Sequence, residues 1–358
     1  MSKVLLFSDL HLHNHKGSVD RLQDCLAVLN WVFRTAAAKG CSHIFFLGDL
    51  LHERSKIDVL NYLRMFETFL KHRGKFNIHL LIGNHDMYHQ KKWDVNSVKP
   101  LTAINGITVI DQPQVIDLEG VHFAFLPHTE NPLPALKKLK ADCPDGKRIL
   151  LAHLAVDGAE LNKMYGTKAD VIVEYDSDMV RVGPEVFDHW DRTFLGHYHS
   201  AQKLTDKVEY LGSPLQLTFG EAFQRKHIAV LDLEDLSTEY VVNDFSPQHF
   251  ILGTDELDKY DLKGHFVRLA VDSLAEQDIV DKRKQLTLAG AASVDVMRKE
   301  KTVVVEQEQA TVQDARSILT DQRKMLDFYI QHKGLPAGVE RDKLVKLWDE
   351  VRSRVVKK

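Results

Sequence analysis

Within its first ninety residues the chain three times runs through an apolar stretch of strand length and stops in a short polar motif. Val4-Leu5-Leu6-Phe7 ends in Ser8-Asp9-Leu10-His11. Residues 43–47 end in Gly48-Asp49-Leu50-Leu51-His52, and residues 76–82 in Gly83-Asn84-His85-Asp86. Near-continuous apolar runs are the pattern of strands buried on both faces. Between them lie two helical patterns. The first covers 19–39, with Leu22, Leu26, Leu29 and Phe33 on one stripe and Gly40 to end it. The second covers 56–73. Alternating strands and helices indicate an α/β layered fold, with chemistry collected at the strand C-terminal ends.

Further on the pattern becomes one of short strands, over 107–126, then a helix over 132–141. A strand over 148–152 ends at His153, and one over 193–195 runs into Gly196-His197-Tyr198-His199. Residues 157–175 show no period and read as a long loop; strands then continue to about 242. The first domain is expected to close near residue 250. Residues 265–271, 274–289 and 302–306 read as a small β-α-β cap, and helices over 312–331 and 339–356 finish the chain. This gives three expected domains: 1–250, 251–310 and 311–358.

Composition removes several classes. The chain of 358 residues is 44% hydrophobic and 27% charged, and no apolar run approaches a membrane span. Cys25, Cys41 and Cys143 are few, odd in number and widely spaced, which suggests neither a disulfide framework nor a thiolate metal site. With a start too short for a signal peptide, a cytoplasmic protein is expected. A net charge of -4 argues against coating nucleic acid through bulk electrostatics. It leaves room for a nuclease whose metals and a local basic strip meet the phosphates.

The strand ends carry Asp9 and His11, Asp49, Asn84, His153, and His197 and His199. Singly, each has a plain reading: Asp9 could cap the first helix, Gly-Asn-His-Asp could be an ordinary turn, and a lone His153 could be a satisfied core residue. Jointly they make seven nitrogen and oxygen donors without sulfur, a set that suits Mn, Fe or Zn. Seven are too many for one ion. They suit two ions roughly 3.5–4 Å apart that share a carboxylate, an arrangement fit for phosphoester hydrolysis. In extended backbone, residues two apart point the same way, so Asp9 and His11 are expected to address one point.

Asp9-x-His11, Gly48-Asp49, Gly83-Asn84-His85-Asp86, His153 and Gly196-His197-x-His199 together resemble the signature of the calcineurin-like metallophosphoesterases, over residues 4–199. The resemblance implies a two-sheet sandwich flanked by helices. It assigns one metal to Asp9, His11, Asp49 and His199, and the other to Asp49, Asn84, His153 and His197, with Asp49 bridging. It gives His85 the task of protonating or stabilising the leaving oxygen. Protein phosphatases fit less well, since Asp86 stands where they usually carry Glu, and Glu53 where they place an Arg.

Gly48-Asp49-Leu50-Leu51-His52 and Tyr210-x-Gly212-Ser213-Pro214 followed by Phe219 resemble the SbcD-type branch, the meiotic-recombination nuclease family, including subunits of large tailed phages. That branch implies a supporting catalytic role for His52. It further implies two divalent metal ions, Mn2+ foremost, with 3′-to-5′ exonuclease action on duplex DNA and endonuclease action on single strands. The implied partners are DNA, an SMC-like coiled-coil ATPase and a second copy of the chain within a heterotetramer. The stripe Leu344, Leu347, Trp348, Val351 and Val355 would be the ATPase-docking helix.

Other residues read more plainly. Leu12-His13 stands where many SbcD-type members have glycine, and His13 and His15 read as solvated loop residues. His128 reads as remote from substrate, Asp86 as a tie for its own turn, and Cys25 as core. The basic run His89-Gln90-Lys91-Lys92-Trp93 could meet phosphates and stack a base. In the second helix Val59, Tyr62, Leu63, Phe66, Phe69 and Leu70 read as the core stripe, with Ile57 and Leu60 outside it as a hint of a subunit contact. Two alternatives stand beside the nuclease reading: a stand-alone phosphodiesterase or phosphatase for small substrates, and a non-catalytic scaffold docking an ATPase.

Overall fold

The computed structural model describes residues 2–14, 19–89, 91–160, 180–271, 275–298 and 343. Apart from residue 343 these belong to one compact unit, Met1–Lys299. The chain opens with β1 (Lys3–Phe7), α1 (Val19–Ala38), β2 (Cys41–Phe46), α2 (Val59–Lys71) and β3 (Asn77–Leu81). The three strands pair in parallel, each buried through its C-terminal half. A short hairpin, β4 (Met87–His89) and β5 (Lys92–Asn96), precedes β6 (Ile107–Ile110), which adds to the sheet beside β3. Helix α1 buries Leu22, Leu26, Leu29 and Phe33 against this sheet and ends at Gly40, which takes the left-handed φ of 70°.

Helix α2 starts later than its periodicity suggests. Asp58 takes the N-cap and accepts the Asn61 N–H at 3.0 Å, so the residues before it stay outside the helix. Its buried face is also rotated from the expected stripe. Asn61, Met65, Thr68 and Phe69 are buried, whereas Val59 is 81% exposed and Leu63 47%. Tyr62 and Phe66 are half-buried, and Leu70 is exposed like Ile57 and Leu60. Thr68 is accommodated because its hydroxyl donates to the Arg64 carbonyl one turn back, at 2.8 Å.

The second half supplies β7 (Gln114–Leu118), β8 (Val121–Leu126), α3 (Leu133–Asp142), β9 (Lys147–His153), β10 (Arg192–Gly196), β11 (Gln202–Lys203), β12 (Val208–Tyr210), β13 (Lys226–Asp232) and β14 (Thr238–Asn243). Strands β13 and β14 return to the first sheet, giving the order β14-β13-β1-β2-β3-β6. The others form a second sheet, β11-β12-β10-β9-β8-β7. The two sheets share one apolar layer: Val4, Leu6, Phe45 and Leu81 from the first meet Phe123, Phe125, Leu151 and Phe194 from the second. This is the expected sandwich, with helices outside. Fully burying one such side chain stabilises by roughly 1.5–3 kcal/mol, so the layer fixes where all the strand ends emerge.

A third, all-parallel sheet of β15 (His249–Leu252), β16 (Phe266–Val271) and β17 (Ser293–Arg298), with α4 (Glu276–Leu288), forms the small cap around its own core of Leu252, Val267, Leu269 and Ile279. The strand after α4 is therefore 293–298; residues 302–306, where it was expected, lie outside the described residues. So do most of the loop expected over 157–175 and the two C-terminal helices, of which Lys343 alone is described, in helix. No helix among the described residues is long and apolar enough to cross a membrane.

Candidate metal centre

The five motifs meet at one edge of the sandwich. Past the end of β1 the chain keeps bonding its neighbour loop: Asp9 N–H to the Gly48 carbonyl at 2.9 Å, and His11 N–H to the Asp49 carbonyl at 3.0 Å. The spacing of Asp9 and His11 predicts a shared face through extended backbone, and the structure does not use it. Both are left-handed, with φ of 52° and 45°, as are Asp49 (62°) and His197 (101°). A left-handed non-glycine residue is unfavourable and persists only where its surroundings hold it. Four such residues at one edge mark where the fold stores strain.

Gly83 is needed for a different reason than a free φ. A Cβ there would lie 2.6 Å from the Asp49 backbone nitrogen and 2.8 Å from the His153 ring. At Gly48 (φ 101°) a Cβ would lie 2.8 Å from the Gly83 Cα. The two glycines let the second and third motif loops touch backbone to backbone. Asp86 then ties those loops: its buried carboxylate accepts N–H groups from Asp49 (2.8 Å), Gly83 (2.9 Å) and Leu50 (3.0 Å). It therefore holds both its own turn and the loop of the neighbouring strand.

The structure brings Asp9, His11, Asp49, Asn84, His153, His197 and His199 together, and buries all of them. One oxygen of Asp49 sits 3.4 Å from both His11 Nε2 and His153 Nε2. Its other oxygen accepts the His85 N–H at 2.8 Å. On one side His11 Nε2 faces His199 Nε2 at 3.0 Å, with Asp9 in reach. On the other, Asn84 Oδ1 lies 3.0 Å from His153 Nε2 and 3.1 Å from His197 Nδ1. The His197 N–H donates to the Asp9 carboxylate at 3.0 Å, closing the ring of loops.

Several rings are engaged on their outer nitrogen. His153 Nδ1 donates to the Leu47 carbonyl at 2.7 Å, and His199 Nδ1 to Glu221 at 3.3 Å. Their Nε2 atoms therefore point into the ring, that of His153 toward Asp49 and Asn84 and that of His199 toward His11. Inward lone pairs with outward N–H groups are the form in which imidazole binds a divalent cation. The donor set fits two such ions that share Asp49. Electrostatics agree in part. Burial and the neighbouring rings hold His11 well below the usual histidine range, and burial with His153 and His128 does the same to His197, so both are neutral. Burial alone would depress His153, but Asp49 and Asp9 outweigh it and raise it to about 9. Asp49 is held ionised despite burial by His153 and His85, while burial raises Asp9.

His85 and His52 stand beside this set. His85 Nδ1 donates to the His52 carbonyl at 2.6 Å, and the nitrogens of His11, His52 and His85 lie within 4.8 Å of one another. His13 is not a solvated loop residue. It is buried, its Nδ1 bonds the His11 carbonyl at 2.7 Å, and its ring stacks on His52 at 4.1 Å. Burial pushes His13 to about 4 and His52 to about 3. His15 lies outside the described residues.

His128 is buried against the site as well. It offers a nitrogen within 4.8 Å of those of His153 and His197, and its Nδ1 has no hydrogen-bond partner among the described residues. Its one sequence signal was a polar residue after the apolar run of β8, the context that singled out the other five motifs. Nothing in the sequence pointed to Glu221 or Lys226. Trp93 is not free to stack a base: it is half-buried and its indole donates to the His128 carbonyl at 2.7 Å. Nearby Lys91 pairs with Glu130 at 3.1 Å.

A family model described as calcineurin-like phosphoesterase matches residues 2–200. Exonuclease subunit 1 of Enterobacteria phage T4 is 25% identical over 201 residues, covering 55% of this chain and 54% of that protein, so the chain spans about half the length of that relative. Among solved structures, an archaeal phosphodiesterase is similar at 14% identity and a TM-score of 0.34, over 67% of this chain and 99% of that one. A phosphoesterase from E. coli matches at 13% and 0.33, over 67% and 98%. A dimetal phosphatase from Danio rerio matches at 11% and 0.44, over 66% and 95%.

Proposed function

The chain belongs to the calcineurin-like phosphoesterase family, and from that premise we propose that it is a metal-dependent DNA nuclease, the cutting subunit of an SbcCD-like, ATP-driven DNA end-processing complex. The observation that carries the hydrolytic part is Asp49, one oxygen of which lies 3.4 Å from a histidine nitrogen on each side. In this reading Asp9, His11, Asp49 and His199 hold one divalent ion and Asp49, Asn84, His153 and His197 the other, with Mn2+ the first choice. When bound, the pair would supply Lewis-acid polarisation of a phosphoryl group and an acidified water.

The chain's own residues do the rest. Asp49 keeps its charge in a buried site while its second oxygen fixes the His85 backbone. With Nδ1 held by the His52 carbonyl, His85 presents Nε2 for the leaving oxygen, to which it gives a proton or a hydrogen bond. His52 abuts His11 at 3.3 Å and is braced by His13, so it supports that corner.

The similarity to a phage exonuclease subunit supports DNA as substrate and an assembly as context. Within that reading the activity is 3′-to-5′ on duplex DNA and endonucleolytic on single strands, the cap faces DNA, residues 311–358 dock a coiled-coil ATPase, and α2 pairs two copies. An assay with Mn2+ comparing duplex DNA with a nitrophenyl phosphodiester, with and without the ATPase, tests it. DNA cleavage raised by the ATPase is the expected result. Turnover of the small diester alone, with no cleavage of DNA under any condition, would overturn it in favour of a stand-alone phosphodiesterase.

A further inference from the structure

We infer that Glu221 is a positioning residue that holds and strengthens His199 as a metal ligand, an inference that rests on the two-ion reading above. Glu221 lies on a short 3-10 turn, Phe219–Glu221, and is buried although no strand or long helix carries it. One carboxylate oxygen meets His199 Nδ1 at 3.3 Å. The other accepts the Ser213 hydroxyl at 2.9 Å and the Leu217 N–H at 3.3 Å, and pairs with Lys226 at 2.6 Å.

Lys226 is buried too and serves His199 a second time, donating to its backbone carbonyl at 2.8 Å. The Ser213 N–H reaches the same carbonyl at 3.1 Å. The ring and the backbone of His199 are thus held by one charge pair. His153 offers the comparison, since its outer nitrogen meets a backbone carbonyl. A carboxylate in that place fixes the tautomer as a carbonyl does, and also makes the opposite nitrogen a stronger donor. Burying a lone carboxylate there would be costly. Lys226 offsets that cost without competing for the oxygen that faces the ring.

The turn is fixed from behind by the cap. The Gln216 side chain accepts the His249 N–H at 2.5 Å, and Phe219 lies under the Arg268 guanidinium at 4.0 Å. Glu221 therefore approaches His199 from a supported surface.

Titrating the full-length metal-free chain with Mn2+ by calorimetry, and with Co2+ by visible absorption, tests the inference. Glu221→Gln keeps the shape and removes the charge. It should weaken one of the two binding events about 10–100-fold and shift the Co2+ bands of that site, leaving the other event unchanged, while the unmatched Lys226 lowers the melting temperature of the metal-free chain. If that variant does not fold, Glu221→Asp, which keeps a charge to match Lys226 and draws the carboxylate back from His199 Nδ1, is read in the same way. Isotherms and bands equal to those of the unaltered chain, or equal weakening at both sites, would overturn it. An unaltered chain that binds no ion overturns the two-ion reading itself, and this inference with it.

Discussion

The carboxylate of Asp86 accepts the backbone N–H of Asp49 at 2.8 Å, across two neighbouring parallel strands. This bond and its companions to Leu50 and Gly83 set the distance between the loop that carries Asp49 and the loop that carries Asn84. Burial and the nearby Asp49 push Asp86 up to about 7, while its N–H bonds pull the other way. Asp86→Ala leaves three buried N–H groups without a partner, at about 1–3 kcal/mol each where nothing relaxes. The expected outcome is a clear loss of stability in denaturant titration and weaker binding of both ions. Asp86→Asn keeps an acceptor and should fall between. An Asp86→Ala chain with unchanged stability would show that the clamp holds nothing.

Asp49→Asn separates charge from shape. The amide oxygen can still accept the His85 N–H, so the fold should persist. The negative charge between His11 and His153 is gone, and each ion loses its shared ligand. Calorimetry should show both binding events weakened by more than the about 10–100-fold typical of outer partners, and hydrolysis should disappear. Two ions bound with near-normal turnover would contradict the assignment.

His85→Gln should leave both ions and substrate affinity in place and slow the chemical step by about 10²–10⁴-fold, the usual worth of a positioned acid or base. Single-turnover measurements at saturating metal read this directly. Loss of an ion in this variant would make His85 a ligand instead.

The strand ends could be read in sequence because a parallel strand buried on both faces leaves an unbroken apolar run, and the polar residues that stop it must sit where the strand emerges. Asp9, Asp49, Asn84, His153 and His197 were all found in this way, and the structure gathers them. The mechanism of gathering was not legible. Spacing suggested extended backbone at Asp9 and His11, while the structure uses left-handed turns held by bonds between loops. His13 looked like loop because nothing in sequence shows that the His52 ring would cover it. Glu221 was invisible because it follows His199 by more than twenty residues of short strands and turns, where no periodicity links the two. In α2 the apolar positions outnumber what one face can bury, so pattern alone could not choose which of them meets the core.

His79 gives the fold an acid limit away from the metal centre. It lies in β3 among Phe45, Phe125 and His43, whose Nδ1 is 3.1 Å away, with Asn77 and Glu119 around His43. Burial and His43 lower His79 to about 4. Between the unfolded value of 6.5 and about 4 the unfolded chain binds the extra proton, so stability falls as pH drops through that window. From pH 7 to 5 the loss from this residue should be about 1–2 kcal/mol. His79→Phe should flatten that part of the stability–pH curve measured in urea; an unchanged slope would rule His79 out as its source.

The exposed face of α2 leads to the last prediction. Ile57, Val59, Leu60, Leu63 and Leu70 are all exposed, with Val59, Leu63 and Leu70 spaced to lie along one side of the helix. Scattered apolar residues on a surface need no explanation, but a contiguous set on one helix marks an interaction surface. The helix has strong reasons to be where it is, since Asp58 caps it and Met65 and Phe69 anchor it in the core. Its outward residues are therefore free to vary without loss of fold, and an apolar choice there suits contact with a partner. A second copy presenting the same face would cover Leu63 with Leu63 or its neighbours, and the two-fold arrangement lets one stripe serve both sides. Leu63→Glu should then place like charges opposite one another at the centre of the contact. Sedimentation should show the unaltered chain as a dimer and the variant as a monomer, with metal binding and melting temperature of the monomer unchanged. A variant that remains dimeric would move the interface elsewhere, and an unaltered chain that is monomeric at all concentrations would leave this face to a different partner.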